Sequence, residues 1–187
     1  MKQKETIKRA ESSFWSNVFK QQPQASDLHK ILRLVPPFTD FKKGQMEELI
    51  KIIHNRQYQS GEYIFMQGDP GIALYIIREG SVDIEYLSDN GEKVVIASFG
   101  QGDFFGELAM IDGDTRSASA RTKAETKLSI IFKPDLDEFI HKYPKTGVKI
   151  LSGISKIIVL RLRNLNQEYV SLIDEYNALK ENQHENR

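Results

Sequence analysis

Between residues 61 and 132 glycine stops the chain every few residues, and that punctuation limits the fold more than any other feature. Gly61, Gly68, Gly71, Gly80, Gly91, Gly100 and Gly102 separate short runs rich in Ile, Val, Tyr and Phe. The runs cover residues 62–66, 73–78, 81–87, 93–99, 118–122 and 126–132. Runs this short, at this spacing and with a turn signal between each pair, predict an antiparallel β-sandwich or barrel rather than helices or a parallel sheet. Asp89-Asn90-Gly91 is a hairpin signal, because Asn and Gly tolerate the positive φ that tight turns require. In the run 81–87, Val82, Ile84 and Tyr86 share one face and Asp83 and Glu85 the other, so the acidic positions read as a solvated sheet face.

The flanks change period. Ile7, Ala10, Phe14 and Val18 recur at helical steps beside Lys2, Lys4, Lys8, Arg9 and Lys20. Leu28, Ile31, Leu32 and Val35 follow a capping residue, Ser26 or Asp27, and stop at Pro36-Pro37. Met46, Leu49, Ile50 and Ile53 give a third stripe ending before Asn55. Beyond residue 144 no proline interrupts up to Lys180. There Leu151, Ile158, Leu165, Leu172 and Leu179 recur every seven residues, with Ser155, Leu162, Tyr169 and Tyr176 between them. That 4,3 alternation predicts a long helix with a coiled-coil seam. Ile150, Ile154 and Ile157 suit packing on the chain's own barrel, so the helix is expected to serve both surfaces.

Charge follows the same division. Residues 1–60 hold 11 basic and 6 acidic side chains, residues 61–140 hold 7 and 15, and residues 141–187 hold 8 and 5. The formal net charge of zero is thus an acidic middle between two basic flanks, and argues against coating nucleic acid by bulk charge. The absence of cysteine excludes disulfides, Cys-based metal sites and Cys nucleophiles. His29, His54, His141 and His184 are scattered outside the predicted strands, which argues against a histidine metal cage, so the metal expectation is none. No stretch is long and apolar enough to span a membrane, and the first residues lack the apolar core of a signal peptide; the default expectation is a cytoplasmic protein. No nucleophile–base pair, Walker lysine or dinucleotide fingerprint is present, so no enzyme is expected.

One segment does not fit a plain strand. Gly106-Glu107-Leu108-Ala109-Met110 is followed by Asp112-Gly113-Asp114 and then Thr115-Arg116-Ser117. Gly106 permits close backbone approach. Glu107 to Met110 can form one helical turn, whose first N–H groups are free to meet an anion. Arg116 offers a planar fork for a phosphate. Glu107 would be repelled by a phosphate and makes sense as an acceptor for a sugar hydroxyl. Phosphate plus sugar hydroxyl describes a nucleotide.

With these residues in place, the segment 58–139 resembles the cyclic nucleotide-binding domain family, as in bacterial catabolite activator proteins and the regulatory subunits of cAMP-dependent protein kinase. Gly61-Glu-Tyr-Ile-Phe-Met-Gln-Gly-Asp-Pro-Gly71, Leu74-Tyr-Ile-Ile-Arg-Glu-Gly-Ser-Val-Asp-Ile84, and Phe105-Gly-Glu-Leu-Ala109 with Thr115-Arg-Ser-Ala-Ser119 carry the resemblance. It implies an α+β, mainly β fold: a β-roll or jelly-roll barrel with N-terminal helices and a long C-terminal helix. It implies that Arg116 pairs with the cyclic phosphate and Glu107 holds the ribose 2′-hydroxyl. Gly106, Leu108 and Ala109 would surround the sugar phosphate, and Ser117, following the arginine, leans to cAMP while leaving cGMP open. Thr115 departs from the proline of many members without removing a ligand group. The helix after the barrel closes over the base in this family, so Asn164, Asn166 and Tyr169 are the candidate base contacts.

Three parts follow: a helical extension over 1–37, the nucleotide-binding roll with flanking helices over 38–144, and a pairing helix over 145–187. Only eight residues follow Leu179, where related transcription factors carry a helix-turn-helix domain. The expectation is therefore a stand-alone sensor of cAMP or cGMP with no further cofactor and no direct DNA binding. It is expected to form a homodimer and signal to an effector protein. The alternative is a degenerate binding fold serving as a ligand-independent dimeric scaffold.

Overall fold

The structure, a computed structural model, describes residues 25–185. The first apolar stripe, Ile7 to Val18, lies outside the described residues. The chain runs α1 (Ala25–Leu34), a 3-10 turn (Pro36–Phe38), α2 (Lys43–Ile50), β1 (Ile53–Tyr58), β2 (Tyr63–Phe65), β3 (Ala73–Glu79), β4 (Val82–Leu87) and β5 (Lys93–Phe99). It continues with β6 (Phe104–Phe105), α3 (Leu108–Asp112), β7 (Ser119–Thr122), β8 (Thr126–Phe132), α4 (Lys133–Lys142) and α5 (Pro144–Glu185).

The strands form two four-stranded antiparallel sheets, ordered β1-β8-β3-β6 and β2-β7-β4-β5. β3 shows why the fold has two cores. Its alternation sends Ala73, Tyr75 and Ile77 into the space between the sheets, with Tyr58, Val82, Phe105, Ala120 and Leu128. Leu74 and Ile76 point the other way, into a second core closed by Leu28 and Leu32 of α1, Met46 and Leu49 of α2, Phe139 of α4, and Ile150 and Ile154 of α5. A strand buried on both faces reads as a continuous apolar run, as 73–77 does. The turn at Asn90-Gly91 forms as expected, with Gly91 at φ 85° and its N–H donating to the Ser88 carbonyl at 2.9 Å.

Two expectations need correction, and one short strand was not anticipated. Ile53 does not end the α2 helix; it opens β1, which pairs in register with β8 from Ile53↔Ile131 to Tyr58↔Thr126. The polar run His54-Asn55-Arg56-Gln57 conceals this edge strand, because its inward polar positions are met by polar partners such as Ser129, which donates to Asn55 at 3.0 Å. β6 is two residues long and leaves no period to read. The acidic face of β4 is not simply solvated. Asp83 and Glu85 lie 3.5 Å from Lys123 and 3.8 Å from Arg121, basic groups set beside them by β7.

α5 is continuous over 42 residues. Its first turns lie against the 3-10 turn, where Gly153 makes room: a Cβ there would sit 2.4 Å from the Pro37 Cα. Ile150 and Ile154 are fully buried, whereas Leu162, Leu165, Tyr169, Leu172, Tyr176 and Leu179 are each more than half exposed.

Candidate functional site

The irregular segment after β6 is pinned before it reaches its functional side chains. The Gly68 N–H donates to the Arg116 carbonyl and the Arg116 N–H to the Asp69 carbonyl, each at 2.8 Å, so the turn before β3 holds the backbone of Arg116. α3 follows Glu107 directly, and its far end is capped by Lys133, whose Nζ donates to the Met110 carbonyl at 2.9 Å.

Arg116 is 4% exposed. Its Nη1 donates to the Gly106 carbonyl at 3.0 Å and its Nη2 to the Ala73 carbonyl at 2.7 Å. The guanidinium lies 4.2 Å from the Phe65 ring centroid, a cation–π distance. Its Nε is buried and has no hydrogen-bond partner among the described residues. Burial lowers the Arg116 pKa from its ordinary value, yet a guanidinium stays charged at neutral pH. A buried cation with one unused donor suits an anionic oxygen. The glycine at 106 now has a specific cause. Its φ is +81°, and a Cβ would stand 2.8 Å from Arg116 Nη1 and 3.0 Å from the Ala73 oxygen. The close approach is to the arginine that the segment presents.

Glu107 is also 4% exposed. Its Oε1 accepts a hydrogen bond from Arg161 Nη1 at 2.5 Å, and Arg161 Nη2 donates to the Phe104 carbonyl at 2.6 Å. The Arg161 guanidinium also lies 4.6 Å from the Phe99 ring centroid. Helix α5 is thus tied to the site by a charge-assisted bond at its centre.

Beside Arg116 and Glu107 opens a cavity of about 550 Å³. Its apolar wall is made by Phe65, Ile84, Ile96, Ala97, Phe99 and Phe105, and α5 closes the opposite side with Arg161, Asn164, Leu165 and Glu168. Of the sequence-predicted residues, Gly106, Glu107, Leu108, Arg116, Ser117 and Asn164 line it. Ala109 is the second residue of α3. Asn166 and Tyr169 do not line the cavity; they lie on the solvent side of α5, where Tyr169 is 62% exposed. Phe65, Phe99 and Phe105, which pack in or against the core between the sheets, also face the cavity.

Sequence reasoning missed Arg161. The signal was present: Ile150, Ile154 and Ile157 mark the inward stripe of α5, and steps of four and three carry it on to Arg161, Asn164 and Glu168. Among the described residues, no group of three or more His, Asp or Glu side chains is placed to hold a metal ion, and no helix is long and apolar enough to cross a membrane.

Residues 55–143 match the family model described as the cyclic nucleotide-binding domain. A cyclic AMP receptor protein of Thermus thermophilus is 29% identical over 133 residues, covering 71% of this chain and 60% of its own length. A cAMP-dependent protein kinase regulatory subunit of Emericella nidulans is 33% identical over 98 residues, covering 52% of this chain and 23% of its own. The chain therefore spans less than two thirds of either relative. Among solved structures, a cyclic nucleotide-binding domain from Methylobacillus flagellatus superposes with a TM-score of 0.68 at 28% identity, covering 74% of this chain and 81% of that one.

Proposed function

We propose that this chain, whose residues 55–143 match the cyclic nucleotide-binding domain model, is a cyclic nucleotide sensor that signals through its long helix. The observation that carries the reading is the buried Arg116, which has a nitrogen without a partner and stands in the lining of a cavity of nucleotide size. Arg116 receives the cyclic phosphate and Glu107 accepts the ribose 2′-hydroxyl. Gly106, Leu108, Ala109 and Ser117 frame the sugar phosphate, and the base lies between the apolar wall of β4 and β5 and Asn164 of α5. The ligand is cAMP by preference: the similar receptor and kinase subunit are named for it, and Ser117 is compatible with it.

Arg161 supplies the transmission. It spans from α5 to the carboxylate that receives the ribose, so a ligand on Glu107 redistributes the hydrogen bonds that hold the helix. The exposed seam of α5 then carries the change to a second copy of the chain and to an effector protein. A second reading, a dimeric scaffold indifferent to nucleotide, draws on the same seam and on the protein partners that Glu107 and Arg116 already hold. Thermal unfolding separates the two. At a hundredfold excess over Kd a ligand stabilises by about 2.7 kcal/mol, a rise of roughly 5–10 °C in Tm for a chain of this size. An unchanged Tm with both cyclic nucleotides at millimolar concentration would favour the scaffold.

A further inference from the structure

The ionisable groups lining the cavity are unbalanced. Four carboxylates, Glu107, Asp112, Asp114 and Glu168, face two guanidinium groups, Arg116 and Arg161. Arg161 is engaged at both Nη atoms, by Glu107 and by the Phe104 carbonyl. The one cation with a buried unpartnered donor, among the described lining residues, is Arg116.

Asp112 and Asp114 need a reason. Asp112 Oδ1 accepts from the Asp114 N–H at 3.0 Å, and Asp114 Oδ1 accepts from the Thr115 N–H at 2.7 Å. Those turn bonds require only a side-chain carbonyl oxygen, which asparagine supplies equally well. The negative charges are surplus to the local structure, both residues are exposed, and neither forms a salt bridge among the described residues. They stand at the last residue of α3 and on the turn between it and Arg116, in the lining of the cavity.

We infer that Asp112 and Asp114 act as a charge filter: the site accepts one negative charge on its ligand and repels a second. The inference rests on the proposed function and extends it to the class of nucleotide rejected. A cyclic phosphodiester carries a single charge. Hydrolysis of its ring adds water across one P–O ester bond, frees a ribose hydroxyl and leaves a monoester with a second ionisable oxygen. A phosphate monoester carries about 1.5–2 negative charges at neutral pH. Beside Arg116 the first charge is matched, whereas each further charge adds repulsion from the acidic turn, the other lining cation, Arg161, being paired with Glu107. Ring opening therefore both ends the signal and expels its product.

The test is calorimetric titration of the full chain, as wild type and as the double variant Asp112→Asn/Asp114→Asn, with cAMP and with 5′-AMP. Both substitutions keep the turn acceptors. The wild type should prefer cAMP by at least about a hundredfold. The variant should bind both nucleotides more tightly, 5′-AMP most, so that the ratio of the two Kd values falls by on the order of tenfold. Raising salt to about 1 M, where screening acts over roughly 3 Å, should narrow the ratio for the wild type itself. A ratio unchanged within twofold by both the substitutions and salt, with cAMP still bound, would overturn the filter alone. Failure of the wild type to bind cAMP or cGMP would overturn the proposed function and the filter with it.

Discussion

Arg116 holds the site at the scale of single residues. It bonds two carbonyls, lies over Phe65 and keeps one donor in reserve. Arg116→Ala should weaken cyclic nucleotide binding at least a hundredfold in calorimetry, since a charge-assisted hydrogen bond contributes about 1.5–3 kcal/mol and a bidentate pair more. It should also lower stability by about 1–3 kcal/mol in urea unfolding, because the Ala73 and Gly106 carbonyls lose their donor. Gly106→Ala should mimic both effects without touching a charge. Left-handed backbone costs a side-chain-bearing residue about 1–2 kcal/mol, and the new Cβ displaces the guanidinium. If Gly106→Ala binds nucleotide like wild type, the packing of Arg116 against residue 106 is not what positions it. Glu107, Arg116 and Gly106 were legible in the sequence because a carboxylate, an arginine and a glycine at that spacing have few bland explanations. Arg161 was not, because one arginine on an amphipathic helix ordinarily faces water.

At the scale of elements, α5 is two helices in one. Ile150 and Ile154 are core, Gly153 admits Pro37, and Arg161 reaches Glu107. Past Arg161 the apolar residues face outward. Ile154→Ala should cost about 2–5 kcal/mol of stability, whereas Leu172→Ala on the free chain should cost little. Arg161→Ala leaves Glu107, buried to 4% exposure, without its ionic partner. Because Arg161 is itself a third exposed, the loss should be about 1–3 kcal/mol rather than that of a wholly buried pair. The same variant should loosen the helix, read as faster amide exchange over residues 155–168. Unchanged exchange there would separate Arg161 from helix control. The glycine-bounded strands were legible to within a residue or two because alternation and turn signals agreed. β1 was hidden because a polar edge strand next to Ser129 shows no apolar period, and β6 because two residues carry none.

At the scale of the whole molecule, the acidic middle and basic flanks have a structural counterpart. Acidic β4 is offset locally by Arg121 of β7 and by Lys123 just after it, and four further carboxylates, Glu107, Asp112, Asp114 and Glu168, line the cavity. The seam of α5 presents Leu162, Leu165, Leu172 and Leu179 on one stripe, more apolar surface than a lone helix keeps in water. Light scattering should give twice the mass of one chain, and Leu165→Glu/Leu172→Glu should return a folded monomer. A wild-type monomer at micromolar concentration would remove the pairing helix from the account. The seam was read from its heptads and the barrel-facing stripe from Ile150, Ile154 and Ile157; choosing Asn164 over Asn166 and Tyr169 required carrying that stripe along the whole helix to the cavity. The central claim is that Arg116 and Glu107 form a working cyclic nucleotide site. Isothermal titration of the wild-type chain with cAMP and with cGMP tests it most directly. Saturable one-to-one binding per chain, tighter for cAMP and abolished by Arg116→Ala, is the predicted result. No heat from either nucleotide at millimolar concentration, on folded protein, would contradict it.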